Sequence, residues 1–190
     1  MKKITINTLV KSLCAVVVAT LASCASVNLS EPLPSNTSAD QRKEIEGQWV
    51  NSDGACIIKF DAKGVGRLAS LKWNDEKQEF QKEEHEFWVT SINTELYVSA
   101  KFEEDNHVAY VLAKCAVDDT HLILWGADPD TFAALIEAKQ LTGTVEEGKY
   151  SKTVSLTTSS KLVMELLEKS KRKDLFMLEE PMILQRITKQ

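Results

Sequence analysis

Glycine and proline are scarce, seven and four in 190 residues, and such a composition excludes collagen-like and low-complexity architectures. Four cysteines without a Cys-x-x-Cys spacing exclude a zinc ribbon or a dithiol redox motif. No apolar run approaches the roughly 20 residues of a membrane-spanning helix, and no unit repeats along the chain. Catalytic signatures are missing as well. There is no Gly-x-Ser-x-Gly and no His-Glu-x-x-His, and Gly64-Val65-Gly66 lacks the third glycine and following helix of a dinucleotide fingerprint. The three histidines, His85, His107 and His121, sit among acids at strand ends without metal-ligand spacing. The expectation is a protein that is not an enzyme and uses no cofactor and no metal.

What is present begins at the amino end. Lys2, Lys3 and Lys11 precede the apolar stretch Leu13 to Leu21. At about 1.5 Å per residue this stretch falls far short of a hydrocarbon core about 30 Å thick, and its length and flanks suit a signal peptide over residues 1–23. The stretch ends in Leu21-Ala22-Ser23-Cys24, which resembles the lipobox of bacterial lipoproteins. That resemblance implies cleavage before Cys24, diacylglycerol on its sulfur and an acyl chain on its amine. Several chains together make a stable anchor where one holds only marginally. Ala25, rather than Asp, follows the cysteine. By analogy with lipoprotein sorting, this implies the outer membrane, with the domain facing the periplasm.

Loss of the leader leaves 20 basic and 28 acidic side chains, a formal charge of −8. Nucleic-acid surfaces need clustered Lys and Arg, so that partner class is excluded. Residues 24–43 are polar and carry Pro32 and Pro34, reading as a lipidated flexible tether. Residues 44–190 are long enough for one domain.

Within that domain the pattern is mostly strand. Ile45–Asn51, Ala55–Phe60, Val65–Trp73, Glu86–Ile92, Leu96–Phe102, Val108–Val117 and His121–Trp125 are separated by turn signals such as Asn51-Ser52-Asp53-Gly54. The polar run Asn74 to Glu84 reads as a long hairpin loop. Asp128-Pro129-Asp130-Thr131 starts a helix with a capping carboxylate and Pro at the first position. Ser159 or Ser160 opens a second helix, and residues 181–187 form a final strand. The fold class is β-rich α+β: an antiparallel meander, open or closed, with two helices inserted before the last strand.

Gly47-Gln48-Trp49 at the start and Arg186 at the end are similar to the lipocalin-like barrels, where a first-strand Trp packs under an Arg from a late strand. This resemblance implies a barrel whose closed end is plugged by a cation over an indole, and a structural role for Trp49 and Arg186. Cys56 and Cys115 lie on strands at apolar parity. In an oxidising compartment they form a disulfide or stay as two buried thiols. Trp88 shares parity with Glu84, Glu86 and Thr90, which makes it the aromatic to consider for ligand or partner contact. Two functional readings follow. One is a scaffold, accessory or inhibitor working by protein contact. The other is a carrier of a small apolar ligand inside a barrel.

Overall fold

A computed structural model describes residues 25–52, 54–74, 78–104, 107–149, 151–169 and 173–187. The leader and Cys24 lie outside the described residues. Eight strands close an antiparallel barrel. Seven follow one another as a meander: β2 (Gly47–Asn51), β3 (Gly54–Phe60), β4 (Gly66–Asn74), β5 (Glu79–Ile92), β6 (Glu95–Glu104), β7 (His107–Val117) and β8 (His121–Gly126). The eighth, β11 (Met182–Arg186), returns between β8 and β2, and a β6–β7 ladder completes the ring. Alternation decides which side chains point inward. Along β8, Leu122 and Leu124 are buried while His121, Ile123 and Trp125 stand outside, as a pleated strand with one face on a core requires.

The barrel carries a second layer. Strand β7 is long enough to hold two partners on one edge: β8 over its second half and β1 (Ala25–Leu29) at Tyr110 and Val111. Parallel to β1 runs β10 (Lys152–Leu156), and β9 (Gly143–Glu147) pairs antiparallel with β10. Helix α2 (Pro129–Glu137) and helix α3 (Ser160–Lys169) pack beside this small sheet. Asp128 caps α2 by accepting from the N–H groups of Asp130 and Thr131 at 3.3 and 3.1 Å, and Pro129 occupies the first turn where its missing N–H costs nothing.

Two hydrophobic cores result. The one inside the barrel includes Trp49, Phe87, Val89 and Leu184. The other lies between the outside of β5–β7 and the second layer, where Tyr97 and Leu112 meet Val27, Phe132, Val154 and Val163.

The segment expected to be a tether is part of this second core. Val27, Leu29 and Leu33 are fully or almost fully buried. The Leu33 N–H donates to Ser99 Oγ at 3.1 Å, Thr90 Oγ1 donates to the Pro34 carbonyl at 2.9 Å, and the Asn36 amide clamps both backbone groups of Ser91. Helix α1 (Ala39–Ile45) follows, opened by a reciprocal capping box between Ser38 and Gln41. Polar composition suggested disorder; three apolar side chains and four long-range hydrogen bonds decide otherwise. The Asn74–Glu84 run, expected as a hairpin loop, is strand over most of its described residues, while residues 75–77 lie outside them. From Glu79 it is strand, paired residue for residue with β4.

Leu33→Ala should therefore destabilise the protein by about 2–5 kcal/mol, as a buried large-to-small change does. A urea titration checks this, since the same change in a tether would leave the midpoint unmoved.

Candidate functional site

One end of the barrel is closed. The Arg186 guanidinium lies over the fully buried Trp49 ring, 4.1 Å from its centroid. The indole N–H donates to the Ile45 carbonyl at 2.9 Å. Arg186 Nη1 donates to the Glu46 carbonyl at 2.7 Å, and Nη2 donates to the Glu44 carbonyl. The guanidinium thus ties β11 to the end of α1, whose carbonyls have no helical partner of their own. Gly47 has φ of +153°, and a Cβ there would stand 2.6 Å from Arg186 Nη1. The glycine of the Gly-x-Trp sequence is what lets the arginine reach.

The interior is full. Its cavity measures about 40 Å³ and is lined by apolar side chains, with His85 the one polar member. Ligand pockets for drug-sized molecules run to about 300–1,000 Å³. Both cysteines face this core as free thiols. Strands β3 and β7 stand four places apart round the ring in either direction, so Cys56 and Cys115 face each other across the packed barrel, and a disulfide needs Cα atoms within about 7 Å. The disulfide alternative is thereby corrected. Desolvation pushes the Cys56 thiol up to about 11 and the Cys115 thiol up to about 12, which leaves both unreactive.

Trp88 does point outward, but it is half-buried, edge-on to Tyr110 with centroids 5.4 Å apart. Its neighbours on that face, Thr90 and Ser99, are covered completely. The ring is engaged in packing on one edge and partly exposed on the other.

The unexpected feature is at the opposite end. The β5–β6 ladder runs from Ile92↔Glu95 to Phe87↔Ala100 and stops. Ile92 and Glu95 flank the turn at Asn93 and Thr94, both with positive φ, the geometry of a two-residue hairpin that pairs its flanking residues. Counting back in twos, the backbone groups of Glu84 and Glu103 face each other across the gap. Between the strands is a slot of about 400 Å³ lined by Glu84, His85, Glu86, Lys101, Phe102 and Glu103. Its lips are charged. Lys82 pairs with Glu84 and holds that carboxyl below its ordinary range; Lys101 lies 2.5 Å from Glu103, and Arg67 lies 3.4 Å from Glu86. The Phe87 ring lies over Gly66, where a Cβ would come within 2.2 Å of it, and β5 turns at that point from β4 as partner to β6.

The histidines do not converge. His85 lines the slot, His107 begins β7 opposite Glu104, and His121 begins β8 near the closed end. Beside His121, Asp118 accepts the N–H groups of Thr120 and His121 at 2.7 Å each, and these hold its carboxyl down to about 2. Among the described residues no three His, Cys, Asp or Glu side chains gather as a metal site. Set against protein-family models, curated proteins and solved structures, the chain matches none.

Two outcomes test this description. Arg186→Met should lower stability by about 2–4 kcal/mol in urea, since it removes the ring contact and two charge-assisted bonds to otherwise unpaired carbonyls. A thiol reagent should label neither Cys56 nor Cys115 in the native protein and both after denaturation, with no reductant needed. A requirement for reductant would mean that the thiols are joined.

Proposed function

We propose that the chain is a lipid-anchored protein of the bacterial cell envelope, held through acylated Cys24, that acts through contact with another protein. The observation that carries this reading is the filled barrel. A 40 Å³ apolar remnant leaves no chamber for the carrier alternative. The barrel is lipocalin-like at its closed end, where Trp49 and Arg186 stack, and differs in what it encloses.

The contact site in this reading is the slot. Two strand edges with unmatched backbone groups form a template for an extended segment of another chain. From Glu79 to Glu86 and from Lys101 to Glu104 the two walls carry six acids against two lysines, which suits a segment bearing Lys or Arg. The anchor places the protein at the outer membrane facing the periplasm, in keeping with Ala25 after the cysteine.

A photo-crosslinking residue at Phe102 should capture a discrete protein in the native envelope. Glu84→Lys with Glu103→Lys should cut that yield several-fold while leaving the urea midpoint in place. A retained small-molecule adduct on the intact protein in native mass spectrometry, with no crosslinked protein, would instead favour the carrier.

A further inference from the structure

The structure leaves no slack after Cys24. Strand β1 begins at Ala25, the next residue, and its first residues are already paired with β10. Whatever surface surrounds Ala25 must therefore lie within a few ångströms of an anchor at Cys24. Ala25 borders a groove of about 680 Å³ whose other side is the outside of the barrel, at Val50 of β2 and Ile183 and Gln185 of β11.

That outer wall differs from the rest of the molecule. Ile183, Ile187 and Ile57 are 50, 45 and 44% exposed, and Leu71 is 61% exposed. All four project from neighbouring strands or their ends: β11, β3 and β4 are contiguous through β2. Among the outward described side chains of these four strands there is no aspartate or glutamate; Lys59 and Arg67 supply the charge, Arg67 being paired with Glu86 of the adjoining β5. On a mature chain with a formal charge of −8, an acid-free wall is a marked local exception. Anionic lipid repels carboxylates and attracts lysine and arginine, while exposed isoleucines gain by leaving water at an interface.

We infer that the outer wall formed by β11, β2, β3 and β4 lies directly on the lipid bilayer. The inference rests on the anchoring of the chain through Cys24. It fixes an orientation that a tethered domain would not have. The wall ends where β4 meets β5: Glu84 and Glu86 of the slot stand directly across from Ala69 and Arg67 of β4, so the slot opens at the acidic edge of the wall.

The test uses the full chain made in a bacterial host and placed in vesicles of phosphatidylethanolamine and phosphatidylglycerol. Single variants Ile57→Cys on β3 and Val108→Cys on β7, an exposed position four places away round the ring in either direction, carry an environment-sensitive fluorophore, and the native thiols stay silent inside the barrel. Intact mass first establishes whether Cys24 is acylated. With the lipid present, nitroxide-labelled phospholipid should quench the probe at position 57 several-fold more than the probe at 108, with a blue shift at 57 alone. Equal quenching, or stronger quenching at 108, overturns the proposed face while leaving the anchor intact. An unacylated Cys24 fails the anchoring itself, and the bilayer contact with it. Shielding of position 57 in a Cys24→Ala protein without vesicles, together with a doubled solution mass, would assign the wall to a second copy and overturn the lipid contact. A Glu substitution at Ile183 supplies a second arm: it should weaken quenching at 57 and leave acylation unchanged.

Discussion

The ring closes because β11, the last strand in the chain, finds its place between β2 and β8, and Arg186 secures that placement. Its guanidinium reaches across the barrel end to two carbonyls at the end of α1 and lies over Trp49. Everything inside depends on this closure. The inward side chains of eight strands fill one another's space only when the ring is complete, and the long separation between Glu46 and Arg186, 140 residues, makes this an expensive loop to order. A buried indole with its N–H satisfied and a cation on its face is strong enough to hold such a contact.

Closure also sorts the outside into unlike walls. On β5–β7 the outward residues are covered by β1, β10, two helices and the segment around Leu33, so Thr90 and Ser99 are buried although they point away from the barrel axis. On β11 and β3 the outward isoleucines stand in the open, with Glu180 at one margin of the wall and Glu84 and Glu86 of β5 at the other. The gap between β5 and β6 begins at the edge of that wall, where Glu84 and Glu86 stand across from Ala69 and Arg67 of β4. Once Cys24 is taken as the anchor, a membrane-facing wall and a protein-contact slot at its edge are read from a single arrangement of strands.

The second layer was least legible because its signals are weak one by one. Val27, Leu29 and Leu33 are three apolar residues in a polar stretch with two prolines, and composition outweighs them when the segment is read alone. The Ser38–Gln41 capping box was a readable start signal for α1, and Val27 with Leu29 shows the alternation of a strand. Neither says what the residues pack against. Strand β9 is similar: four of its five residues are exposed, so it exists through pairing with β10 rather than through an apolar face. Trp88 shows the converse. Its parity was readable, but whether the outward face was wet depended on a segment more than fifty residues upstream.

By itself the sequence determined the alternation that makes each barrel strand, the turn and cap residues that end them, the capped start of α2 and the Gly-x-Trp and Arg pattern at the two ends of the domain. These are local, set by backbone sterics, side-chain period and short-range hydrogen bonds. Only the tertiary structure decided that the sheet closes, that its interior is full, that Cys56 and Cys115 face each other across the core unjoined, that residues 25–37 are packed, and that two strands part beyond Phe87. Each of these depends on volumes and backbone edges meeting across tens of residues of chain, and no local pattern encodes whether a space elsewhere will be filled.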